Sequence, residues 1–135
     1  MLTAETIEQL IRANIPHTDR FDFRVRAVDD TTATCVLKFH PNMVRPGGTL
    51  SGPTIMTLCD AAIYALILKL TQGELLAVTS DLQFHFLRKA PQADLIAQVR
   101  LLKQGKKLIV SEVDVYSAEA PDKIVAKCTG GYAVP

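Results

Sequence analysis

The segment from Thr54 to Thr71, TIMTLCDAAIYALILKLT, is apolar on nearly every face when wound as a helix, and this restricts the folds open to the chain. A surface helix keeps a polar stripe, so a helix without one must be enclosed by other elements. The apolar run is interrupted by Asp60 and ends near Lys69, too short and too broken to favour a membrane span. The expectation is a helix buried inside a soluble, cytoplasmic protein, with Gly73 as its stop signal.

The remaining sequence supplies the enclosure. FDFRVRAV at 21–28 and TATCVLKF at 32–39 alternate apolar and polar residues around the turn signal Asp29-Asp30, as a hairpin of half-buried strands does. Four more strand-like runs follow the helix: LLAVTSDLQFHFLRKA, DLIAQVRLLKQG, KLIVSEVDVYSAE and KIVAKCTGGYAVP. The turns between them are short, which favours antiparallel pairing. MLTAETIEQLIRAN reads as a short surface helix, since it lacks the basic start and apolar core of a secretion signal. With no repeat or linker in 135 residues, one α+β domain over 1–135 is expected, a curved and mostly antiparallel sheet wrapped around one long central helix.

Composition narrows the chemistry. A formal charge of +1 gives no global reason to expect nucleic acid, so an anionic ligand needs a local basic cluster. Cys35, Cys59 and Cys128 are widely spaced with no CxxC pair, which fits reduced buried residues better than disulfides or zinc. His17, His40 and His85 are scattered without metal-ligand or Ser-His spacing, so no metal site is expected. Phe84 and Phe86 alternate with His85, and core packing is the expected role of that pair.

The loop before the helix, RPGGTLSGP, and the single carboxylate inside it carry the functional signal. Gly47 and Gly48 fit a sharp turn, Ser51 fits a helix N-cap, and Pro53 fits the first helical turn, where a missing N–H costs little. Gly52 lets a ligand approach the backbone at the positive end of the helix. Asp60 is more than a turn further on, in sequence suited to burial, and a buried carboxylate is costly unless it is paired or faces a polar cleft. The alternative is a purely structural Asp60, bonded to backbone or to Thr57.

GTLSGPTIMTLCDAA leading into the helix, with AVTSDLQFHFLRKA after it, resembles the hotdog fold and, within it, the PaaI-like acyl-CoA thioesterases. The likeness covers roughly Phe21 to Tyr132. It implies hydrolysis of an acyl-CoA thioester with no metal or redox cofactor, coenzyme A entering only as part of the substrate. It makes Asp60 the general base or nucleophile, gives Gly52 the N–H that polarises the thioester carbonyl, and aligns Thr79 with a residue that positions the attacking water. Two positions depart from the family pattern, where an asparagine is replaced by Arg45 and a histidine by Ser51. Asn42 is near the asparagine position but out of register.

The resemblance also implies a homodimer, with the helix-start glycine of one subunit facing the aspartate of the other, paired again into a tetramer as a dimer of dimers. Met56, Ile63 and Tyr64, about one turn from Asp60, become the acyl pocket. Arg88 and Lys89, ahead of Lys103, Lys106 and Lys107, become the site for the nucleotide phosphates of coenzyme A, and Arg45 becomes a contact for a ligand carboxylate or phosphate. Each of these basic residues has a plain alternative as a solvated loop or turn cation. A second class of function, acyl-CoA sensing without cleavage, fits the two departures, while the retained Asp60 argues for catalysis.

Overall fold

A computed structural model describes residues 2–15, 18 and 21–135. Helix α1 (Ala4–Asn14) is followed by strands β1 (Phe23–Val28) and β2 (Thr32–Leu37), a 3-10 turn at Pro41–Met43, and the long helix α2 (Gly52–Thr71). Strands β3 (Val78–Phe86), β4 (Leu95–Gln104), β5 (Leu108–Ser117) and β6 (Ile124–Ala133) complete the chain. The six strands form one antiparallel sheet in the order β1-β2-β4-β5-β6-β3. Its concave face wraps α2, the arrangement expected from the all-round apolar helix and the hotdog architecture that the resemblance implied.

The start and end of α2 follow from local chemistry. Ser51 Oγ accepts the Thr54 N–H at 3.2 Å, and Pro53 occupies the first turn, where no intrahelical donor is needed. At the other end Gln72 adopts the left-handed conformation (φ 57°), and the Gly73 N–H bonds the Leu68 carbonyl at 2.9 Å. Between these caps every residue from Ala61 to Leu68 is buried, which a helix tolerates only when the sheet encloses it. At 20 residues and mean hydropathy 1.5 the helix is long and apolar enough to cross a membrane, contrary to the sequence estimate, but 67% of that stretch is buried within the fold.

The two edges of the sheet differ. α1, which buries Ile7 and Ile11, covers β1. Glu8 accepts the Val25 N–H at 2.8 Å, and Arg12 donates to the Phe23 carbonyl at 2.7 Å while pairing with Asp22. Side chains of α1 thus satisfy part of the backbone on that edge. β3 pairs only with β6, and its sequence carries Val78 and Phe86 more than half exposed. Phe84 is partly buried and packs against the core as expected, whereas Phe86 departs from that role: it is exposed, its ring stacked on Phe84 with centroids 6.0 Å apart on a strand that the helix covers only partly.

Candidate active site

Asp60 lies midway along α2, half-buried. Its Oδ1 accepts two hydrogen bonds, from Thr79 Oγ1 at 2.9 Å and from Tyr132 Oη at 2.6 Å. Tyr132 Oη also donates to the Asp60 main-chain carbonyl at 3.1 Å. Oδ2 has no protein partner among the described residues. The alternative sequence reading, a structural bond to Thr57, does not occur, since Thr57 donates to the Pro53 carbonyl.

Three local features bring these groups together. A bulge in β3 between Thr79 and Asp81 inserts Ser80 and turns Thr79 toward the helix, opposite Tyr132 in register. Gly130 and Gly131 then let β6 approach closely: a Cβ on Gly130 would lie 2.6 Å from Leu82 Cδ2 and 2.8 Å from Ile63 Cδ1, and one on Gly131 2.6 Å from Asp81 Oδ1. Tyr132 follows directly, stacked on Tyr64 with ring centroids 5.8 Å apart. Burial and the Asp60 carboxylate push the Tyr132 phenol above its ordinary range, so it stays protonated and donates.

Asp60, Thr79 and Tyr132 border a cavity of about 680 Å³. Its walls are mainly apolar, formed by Met56, Ala61, Tyr64, Leu82 and Phe84, with Ile15 closing one side. Among the described lining residues Asp60 is the only one that bears a formal charge at neutral pH. With Oδ1 engaged by two donors, Oδ2 is the carboxylate oxygen left without a partner among the described residues.

Other residues singled out from the sequence sit elsewhere. Ile63 is fully buried and points at Gly130, whose missing side chain makes room for it, so it belongs to the core and not to the cavity wall. Ser51 is the N-cap of α2. Gly52 lies under the Phe86 ring, 3.6 Å from where a Cβ would sit, and its N–H has no protein acceptor among the described residues. Asp60 lies eight helical steps further along α2, about 12 Å at 1.5 Å per residue, so one chain does not bring both to the same atom.

Arg45 lies in a tight turn in which the Gly48 N–H bonds the Arg45 carbonyl and Gly47 has φ +101°, a conformation that favours glycine; its side chain is exposed. Arg88 donates to the Ile124 carbonyl and is exposed beside Lys89, and neither lines the cavity. Lys103, Lys106 and Lys107 are exposed at the β4–β5 turn. All three cysteines are buried and free. His40 caps the 3-10 turn through Nδ1, His85 is exposed on β3, and His17 lies outside the described residues.

Tyr132 is the site residue that sequence reasoning missed. The signal was present as GGY near the end of the last strand-like run, since two glycines before an aromatic mark a close backbone approach.

A sheet curled around one buried helix, with a carboxylate on that helix facing an apolar cavity, is the hotdog class of protein. The model of the thioesterase superfamily matches residues 47–122, and the chain belongs to that superfamily. A candidate thioesterase from Silicibacter sp. TM1040 is 32% identical, with a TM-score of 0.89 over 100% of this chain and 93% of that one. Zebra fish thioesterase superfamily member 2 is 26% identical, with a TM-score of 0.85 over 100% of both chains. The E. coli PaaI protein of the phenylacetic acid degradation operon shares the fold at 20% identity and a TM-score of 0.82, covering 98% of this chain and 95% of that one. A curated Saccharolobus solfataricus protein, named as a candidate esterase, is 27% identical over 99 residues, 71% of this chain and 62% of that protein's length.

Proposed function

We propose that the protein hydrolyses an acyl-CoA thioester to a carboxylic acid and free coenzyme A, with Asp60 as the general base. The observation that carries this reading is the Asp60 carboxylate, held on Oδ1 by Thr79 and Tyr132 and bordering an otherwise apolar cavity suited to an acyl group. Oδ2 takes a proton from water as the water oxygen attacks the thioester carbonyl carbon. The carbonyl electron pair moves onto oxygen, where a backbone N–H stabilises the developing charge. Collapse of this intermediate breaks the C–S bond, Asp60 returns its proton to the thiolate, and the product acid ionises in solvent. Water is the only co-substrate the reaction needs.

The N–H in this reading is that of Gly52 from a second copy of the chain. Two observations support a homodimer: the open edge of β3, against the guarded edge of β1, and the separation of Gly52 from Asp60 within one chain. Arg88 and Lys89, exposed just beyond Phe86 at the end of β3, would then lie near the seam and hold coenzyme A phosphates. Release of free thiol from short-chain, long-chain and phenylacetyl CoA thioesters tests the proposal. Thiol release from at least one supports it; saturable binding of the thioesters with no release would make the protein a sensor instead.

A further inference from the structure

We infer that Tyr132 is a positioning residue for Asp60: its phenol fixes Oδ1 and so selects Oδ2 as the reacting oxygen. This rests on Asp60 being the base of the proposed reaction. The geometry has three parts. Tyr132 Oη reaches both Oδ1 (2.6 Å) and the Asp60 carbonyl (3.1 Å), so it ties the carboxylate to the helix backbone and restricts its rotation. Thr79 adds a second donor to the same oxygen. Tyr132 is itself immobilised, 4% exposed and stacked on Tyr64, whose hydroxyl is in turn anchored to the Leu75 carbonyl at 2.9 Å.

The matched superfamily stretch ends at residue 122, before β6 begins, so this anchor comes from a strand outside it. Two neutral donors occupy Oδ1 and leave Oδ2, which has no protein partner among the described residues, as the oxygen free to accept the proton of the attacking water. Among the described residues, the titratable groups around Asp60 are Tyr132 and Cys128 on β6 and Cys59 and Tyr64 on α2. Asp81 on β3 lies against Gly131 in the adjoining part of the sheet.

The test is the split between kcat and KM for Tyr132→Phe, which keeps the ring and its stacking on Tyr64. With Oδ1 held by Thr79 alone, kcat falls about ten-fold while KM stays within about two-fold of wild type. A second variant guards against a folding defect: 3-fluorotyrosine at position 132 retains the shape and the donor, and keeps kcat within about two-fold of wild type. A merely structural role would move KM and Tm together with kcat. A kcat within about two-fold of wild type in folded Tyr132→Phe, or a loss of kcat matched by a rise in KM, overturns the inference, while the reaction assignment survives if Asp60→Asn is inactive. Full activity in Asp60→Asn overturns the assignment, and the inference with it.

Discussion

Gly130→Ala measures how tightly β6 is drawn onto α2. The added methyl would sit 2.6 Å from Leu82 Cδ2, 2.8 Å from Ile63 Cδ1 and 3.4 Å from the Asp81 carbonyl oxygen. Carbon atoms pack at roughly 3.5–4.0 Å, so both side chains must retreat by about 1 Å. Leu82 is half-buried and borders the cavity, where it has room to turn; Ile63 is fully buried and has none. Overpacking of this kind costs about 1–3 kcal/mol, and the lower chain entropy of alanine in the unfolded state returns about 0.4–1 kcal/mol.

A net loss of about 1–2 kcal/mol follows, which for a domain of this size lowers Tm by roughly 4–8 °C. Circular dichroism melts at one fixed protein concentration provide the measurement, since any self-association shifts apparent stability. In a Leu82→Ala background part of the cost should vanish, because the nearest clashing atom is gone. A Tm equal to or above wild type for Gly130→Ala would refute the close-packing argument, and an undiminished cost in the Leu82→Ala background would remove Leu82 from it.

Two further expectations concern the ends and the open edge of the sheet. The Asp94 carboxyl sits below its ordinary value of 3.8, chiefly because it accepts the Phe39 N–H and secondarily through Lys38, so its contribution to stability is present at neutral pH and lost as pH falls through the lowered folded-state value. Asp94→Asn should accordingly be less stable than wild type at pH 7 in urea titrations, with the difference narrowing below about pH 4; a constant difference across that range would contradict the linkage. Phe86→Glu places a charge beside Gly52 on the open edge, and should convert a dimer to monomer in analytical ultracentrifugation, with thiol release falling in parallel. An unchanged mass would mean that copies do not meet on this face.

The helix and the succession of strands along the chain were legible in the sequence for a simple reason: a helix without a polar face admits few partners, and alternation marks each strand to within a few residues. Asp60 was legible because a charge inside an apolar run demands an explanation. What escaped depended on pairing across the sheet. Tyr132 is 72 residues from Asp60, and only the β3–β6 register and the bulge at Ser80 bring it there. Ile63 looked like a neighbour of Tyr64 on the helix, but the space left by Gly130 turned it into the core. Phe84 and Phe86 carried a core pattern that only Phe84 keeps; Phe86 is exposed because the strand lies at the sheet edge, and alternation does not reveal which strands are edges.

The most direct measurement is free-thiol release by Asp60→Asn against wild type, under saturating thioester and with the fold of both checked by circular dichroism. The substitution preserves size while removing the proton acceptor, so the account predicts a fall in kcat of at least about 100-fold, at the lower end of what a positioned general base contributes. Turnover within a few-fold of wild type would show that the carboxylate at the cavity is not the base, and would contradict the account at its centre.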